Sequence, residues 1–184
     1  MDELVNILDD NGNDTGSTCL KSEAHLKGLF HPTVHVWLYT KKGQMLWQQR
    51  AAQKDTHPLL WDVSVAGHIG AGEDIIHAVI REVQEEVGLQ ILPKELQKIG
   101  VFKSVHLHSD TLIDKEFHHT FCCELRTPLH ELTKQETEVE DLKFIDIGTF
   151  EKRIEQNELE GFVPHDLTYY HTVVTALKKQ LQGL

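Results

Sequence analysis

One stretch constrains this chain more than any other: Gly67-His-Ile-Gly-Ala-Gly-Glu73 followed by Arg81-Glu82-Val83-Gln84-Glu85-Glu86-Val87-Gly88-Leu89. Between its glycine-rich start and its glycine end, Asp74 to Val87 reads as a helix. Ile76, Val79, Ile80, Val83 and Val87 recur at helical spacing, and Gly88 stands where a C-terminal cap belongs. Glu82, Glu85 and Glu86 are at i, i+3 and i+4, so the spacing predicts three carboxylates on one face, opposite the apolar stripe. Like charges so placed repel by a few tenths of a kcal/mol per pair (~0.2–0.5). A solvated acidic face is the ordinary explanation of such a cluster. A divalent cation is the alternative, because hard ions such as Mg²⁺ take oxygen ligands. The glycines from Gly67 to Gly72 let backbone approach an ion or a phosphate closely.

Composition narrows what surrounds this helix. The 184 residues, 40% hydrophobic and 26% charged, fit one globular domain over 1–184. No apolar run reaches the roughly 20 residues of a membrane span, and the acidic start at Met1-Asp2-Glu3-Leu4 is unlike a secretory signal. A net charge of -11 argues against long nucleic acids, whose affinity comes from clustered Lys and Arg. Cys19, Cys122 and Cys123 form no Cys-x-x-Cys, which suggests a reducing, cytoplasmic setting without structural zinc. Thirteen histidines is a high number for this length, and imidazole is the commonest metal ligand.

Strands are expected at Leu4 to Leu8, Val34 to Tyr39, Gln44 to Arg50, Val63 to Ala66, Ile99 to Leu107, Glu116 to Leu125 and Asp141 to Ile147. Turns fall at Asp10 to Asn13 and Lys41 to Gly43, and Asp55 to Trp61 with Pro58 reads as a loop. A short helix is expected after Thr149 and a longer one from Asp166 to Leu181. Mixed strands and helices of this kind suit an α/β sheet flanked by helices. Trp37, Trp47 and Trp61 are expected in the core or a pocket wall, and His35 is expected to pack. His118 and His119 have no evident role at this level.

The stretch 67–89 matches the pattern Gly-x5-Glu-x7-Arg-Glu-aliphatic-x-Glu-Glu-x-Gly-aliphatic, and the chain resembles the Nudix superfamily through it. A chance match in a chain of this length is on the order of one in 10⁷. The resemblance implies an α/β/α sandwich around a mixed β-sheet and hydrolysis of an organic diphosphate with Mg²⁺ or Mn²⁺. It implies Glu82, Glu85, Glu86 and a carbonyl near Gly67 as metal ligands, with Arg81 orienting the carboxylates. The general base would be Glu82 or a later loop residue such as Glu138.

Outside that stretch the sequence looks like the isopentenyl-diphosphate isomerase branch. The cues are Lys21-Ser-Glu-Ala-His25, Phe30-His31-Pro-Thr-Val-His-Val-Trp37, and Gln49-Arg50 through Lys54 to Trp61-Asp-Val-Ser-Val-Ala-Gly-His68. This likeness implies a second metal site at His25, His31, His68, Asp114 and Glu116, and a diphosphate clamp of Lys21, Arg50 and Lys54. Two departures oppose isomerisation: Ala66 occupies the place of that branch's cysteine, and His165, after Phe162-Val-Pro164, the place of its tryptophan. The box glutamates, often missing from isomerases, are complete. Hydrolysis of a small organic diphosphate is the leading expectation; the isomerase likeness points toward a non-nucleotide compound, such as a prenyl or thiamine-type diphosphate, and a nucleoside diphosphate derivative stays open. A diphosphate-binding regulatory module without turnover is the alternative. A homodimer is compatible with the superfamily, although no interface is legible.

Overall fold

The structure is a computed structural model that describes residues 2–183; Met1 and Leu184, the ends of the expected domain, lie outside the described residues. Its first unit is a two-stranded antiparallel sheet of β1 (Leu4–Leu8) and β2 (Asp14–Leu20). The expected turn joins them, with the Asp9 carboxylate accepting from the Asn11 and Asn13 amides at 2.8 and 2.9 Å. β2 runs directly into α1 (Lys21–Lys27), which ends at Gly28 in the left-handed region. Neither β2 nor α1 was expected. β2 is exposed along almost its whole length, and α1 buries only Ala24, so neither carries an apolar period.

The main sheet contains β3 (His31–Tyr39), β4 (Gln44–Arg50), β5 (Trp61–Asp62), β6 (Val65–His68), β7 (Gln97–Ser109), β8 (Leu112–Glu124) and β9 (Val139–Asp146). Its path is β5-β4-β3-β8-β7, with β6 paired to β3 and β9 to β4. β3 and β8 are parallel and the other pairs antiparallel, so the sheet is mixed as expected. β3 is buried at every position, and alternation along it divides the core. Val34, Val36 and Leu38 pack with Val79, Val83 and Val87 of α2 (Ile75–Val87). Trp37 and Tyr39 turn the other way, to Trp47, Phe150 of α3 (Ile147–Gln156), and Tyr170 and Leu177 of α4 (Leu167–Gln182). Helices on both faces of one sheet give the α/β/α layering.

Several boundaries differ from expectation. The β7–β8 hairpin runs to His106↔Asp114 and Leu107↔Ile113, well past the expected start at Glu116. The residues added to β8, Leu112 to Lys115, include Asp114 and Lys115, which break the apolar alternation. The strand expected at Val63 to Ala66 is found two residues later, as β6 from Val65 to His68, with the short β5 before it, and α3 begins at Ile147, capped by Asp146. Trp37 and Trp47 are fully buried core, whereas Trp61 is half-buried beneath the Lys143 ammonium, 3.6 Å from its ring centroid. Among the described residues no helix is long and apolar enough to cross a membrane.

The helix that bears the glutamates is fixed at both ends. Asp74 accepts from the amides of Ile76 and His77 at 2.9 and 3.2 Å, and Gly88, at φ 69°, donates to Gln84 O. We expect Asp74→Ala to cost about 1 kcal/mol. For a chain of this size that lowers the thermal midpoint by roughly 2–4 °C, which calorimetry would detect; an unchanged midpoint would show that the cap carries no stability.

Candidate active site

α2 turns Glu82 and Glu86 toward the end of β6, where both are buried, and leaves Glu85 exposed. A Cβ built on Gly67 would overlap the Glu82 carboxylate, so only glycine leaves room for that side chain against the strand. Glu86 Oε2 accepts from the Ala66 amide and from Gln48 Nε2, both at 3.2 Å. Arg81 ties the stretch together. Its guanidinium donates to Glu73 Oε1 and Oε2 at 3.0 and 2.9 Å, to Glu82 Oε1 at 2.6 Å, to Glu85 Oε2 at 3.3 Å, and to the His68 carbonyl at 3.0 Å.

Burial pushes the Glu82 carboxyl up to about 7, against the pull of Arg81. Burial, reinforced by repulsion from Glu82, raises Glu86 well above the ordinary carboxylate range. Two carboxylates held together out of water, with Arg81 bonded to Glu82 and only neutral donors bonded to Glu86, are deficient in positive charge. That donor set fits a hard divalent cation.

On the other side of Gly67, four elements bring together the expected histidine group. His25 comes from α1, His31 from the start of β3, His68 from the end of β6 and Glu116 from β8, directly beside His31 in the parallel register. Their ligand atoms all lie within 4.8 Å of one another. His31 Nε2 and His68 Nε2 stand 3.4 and 3.6 Å from Glu116 Oε1, and His25 Nε2 is 3.3 Å from His31 Nε2. Burial pushes the Glu116 carboxyl upward, but His31 and His68 beside it hold it well below its usual range. The His68 Nε2 atom is buried without a hydrogen-bond partner. Asp114 stands one step outside this group: one oxygen is 3.7 Å from His25 Nδ1, and the other bonds His108 Nε2 at 2.9 Å.

Both clusters open into one cavity of about 300 Å³, which Lys21, Arg50 and Lys54 also line. The three cations differ in freedom. Arg50 is anchored to Asp62 Oδ2 at 3.0 Å and to Thr56 O and Oγ1 at 2.9 and 3.0 Å. Lys54 is paired with Glu138, and Lys21 opens α1.

The cavity also holds residues that sequence reasoning did not assign: Thr33, Asp62, His118 and His165. His165 Nε2 bonds Asp62 Oδ1 at 2.8 Å. Although burial opposes it, His165 and Arg50 hold Asp62 far below the ordinary carboxylate value. Burial pushes His118 down to about 4, so its ring is neutral near pH 7. His35, expected to pack, is indeed buried, yet it too borders the cavity and shares Tyr169 Oη with Trp37. The adjacent His119 is absent from the cavity lining. Alternation along β8 turns His118 and His119 to opposite faces, and which face borders the cavity is set by the packing of β8 beside β3 and not by any local pattern, so sequence alone left both unassigned.

The family model described as NUDIX domain matches residues 29–165, and the chain belongs to that family. It is 32% identical to an uncharacterized Nudix hydrolase of Clostridium acetobutylicum, covering 96% of this chain and 97% of that protein. It is 34% identical to an isopentenyl-diphosphate Delta-isomerase of Serratia proteamaculans over 66% of this chain and 65% of that one. Among solved structures, a Deinococcus radiodurans protein superposes with a TM-score of 0.69 at 15% identity, covering 96% of this chain and 98% of its own. That last likeness is one of fold alone.

Glu86 gives a test with a defined sign. Below the ordinary glutamate value of 4.5 both folded and unfolded chains hold its proton. Above it the unfolded chain releases the proton while the buried carboxyl keeps it, so stability falls as pH rises toward the folded value. Each tenfold weakening of the acid costs about 1.4 kcal/mol. In metal-stripped protein we therefore expect Glu86→Gln to raise the thermal midpoint at pH 8 by roughly 2–4 °C per kcal/mol relieved, with little change at pH 4. A lower midpoint for the variant at pH 8 would contradict this reading of the pocket.

Proposed function

We propose that residues 1–184 form one domain that hydrolyses the phosphoanhydride bond of a small organic diphosphate. The observation that carries this reading is the convergence of Glu82 and Glu86 on the same cavity as Lys21, Arg50 and Lys54. Buried carboxylates short of positive charge face side chains suited to a diphosphate.

In this reading Glu82, Glu85, Glu86 and the Gly67 carbonyl hold Mg²⁺ or Mn²⁺, and Arg81 fixes the carboxylates. His25, His31, His68 and Glu116 hold a second ion, with Asp114 joining through His25. Such ions, when bound, neutralise the diphosphate and make a water more acidic. Lys21, Arg50 and Lys54 clamp the phosphate oxygens by charge-assisted hydrogen bonds. Glu82, with its affinity for a proton raised to near neutrality, is the first candidate for general base, and Glu138 on the loop before β9 is the second.

Isomerisation is disfavoured by the cavity itself. Ala66 lines it where the related isomerases place a cysteine, and none of the three cysteines is among its lining residues. Cys122 and Cys123 are buried elsewhere, with their thiols pushed up by burial to about 12 and about 11.

Incubation with Mg²⁺ and a broad panel of diphosphates, followed by phosphate analysis, tests the proposal. We expect metal-dependent cleavage of at least one compound, lost on chelation. Glu86→Gln should reduce it by roughly 10³-fold, because a misplaced catalytic ion forfeits several kcal/mol of transition-state stabilisation. Full activity in that variant would overturn the ligand assignment. Tight binding of a diphosphate with no cleavage across the panel would instead favour a regulatory module.

A further inference from the structure

The ions and the clamp leave much of the cavity lining without a task, including Thr33 and His35 of β3, His106 of β7, His118 of β8, and His165 just before α4. His35 and His118 lie face to face, with centroids 4.0 Å apart, and His165 meets both edge-on at 5.4 and 6.1 Å. Trp37 and Tyr169 stand behind His35 and are absent from the lining. Among the described residues, the apolar side chains that do reach the cavity are Ala66, Leu112 and Val163.

Thr33 bonds His118, His35 bonds Tyr169 and His165 bonds Asp62, whereas His106 is engaged by none of them. It projects from β7 opposite Asp114 of β8, and the ring of His57 meets it edge-on at 6.0 Å. His57 follows Lys54 and Thr56 in the loop that anchors Arg50, so His106 stands next to the clamp. Among the described residues neither ring nitrogen of His106 has a hydrogen-bond partner. Neither is among the buried polar atoms left unpaired, so both meet solvent in the cavity. Burial pushes the ring below its ordinary value, which keeps it neutral near pH 7. A neutral imidazole carries one N–H and one bare nitrogen. Whichever nitrogen holds the hydrogen, His106 presents one donor and one acceptor to its neighbour in the cavity.

We infer that His106 selects the organic substituent of the substrate, and that this substituent is small and hydroxylated, as in the diphosphate of a short polyol. A hydroxyl both donates and accepts, so it answers the ring in either tautomer. An alkyl chain would strip water from His106 and return no hydrogen bond. The three apolar side chains of the lining offer such a chain little surface in exchange. The substituent is small because the diphosphate and its ions share the same cavity of about 300 Å³. The lining thus disfavours the prenyl diphosphates that the isomerase likeness suggests. This inference rests on the diphosphate reading for the place of the phosphates.

A near-isosteric pair tests it: 2,3-dihydroxypropyl diphosphate against 2-methylbutyl diphosphate, in which methyl groups replace the hydroxyls. Hydrolysis of each is measured with Mg²⁺, and binding of the methylenebisphosphonate analogue of each is measured by calorimetry. Sites that hydrogen-bond a hydroxyl reject the analogue lacking it, so we expect the diol to be preferred by about tenfold or more in binding and in kcat/KM. His106→Phe should bring that preference to within about threefold, by weakening the diol and not the alkyl ligand. His106→Leu gives the same reading should the phenylalanine variant not fold. Equal or tighter binding of the alkyl analogue by the unaltered protein would overturn this inference alone. An unchanged preference in a folded His106 variant would overturn the role of His106. Binding of neither analogue would remove the diphosphate reading and this one with it. Selective binding of the diol without cleavage would remove hydrolysis while leaving this inference standing.

Discussion

The site depends on one side chain more than any other, the guanidinium of Arg81. It reaches across from α2 to Glu73 on the loop before the helix and to the carbonyl of His68 at the end of β6, while holding Glu82 and Glu85 on its own helix. A planar fork with five donors can meet these acceptors at once, and a lysine could not. Without it, the loop from Gly67 to Asp74 would have the Val5↔Gly70 bridge, the Ala71 bond to Leu4 O and the Glu73 turn to hold it over the helix. The position of Glu82 against Gly67 would then be fixed by sterics alone.

β6 is the second constraint, since its four residues divide two kinds of donor. On its α2 side lies the oxygen-rich pair Glu82 and Glu86, carried by that helix, which suits a hard ion. At the end of the strand His68 enters a nitrogen-rich group with His25, His31 and Glu116, a set that suits a borderline transition metal as well. Gly67 separates them, and the absence of its Cβ lets both lie along one cavity. The N-terminal segment completes the arrangement. β1 and β2 place α1 so that Lys21 and His25 line the cavity from a side that the main sheet leaves open.

The helix within 67–89 was legible because two periods coincide there, an apolar stripe and a polar one, ahead of a terminal glycine. The convergence of His25, His31, His68 and Glu116 was legible only through family likeness, since these residues are spread over half of the chain and share no local pattern. The wall of His35, His118 and His165 was not legible at all. It depends on the parallel register that sets Thr33 beside His118, and on α4 presenting Tyr169 to His35. β2 and α1 were missed because they are short and exposed, and their place is decided by pairing with β1 and not by any period of their own. The first four residues of β8, Leu112 to Lys115, escaped for a related reason, Asp114 and Lys115 breaking the apolar pattern.

That the buried glutamates are a cation site is the claim on which everything else turns. Crystals grown with Mn²⁺ and examined by anomalous diffraction test it most directly. The account predicts a peak within about 2.5 Å of oxygens from Glu82 or Glu86, with the Gly67 carbonyl beside it. Manganese bound only elsewhere, or no peak between α2 and β6 at saturating Mn²⁺, would contradict it.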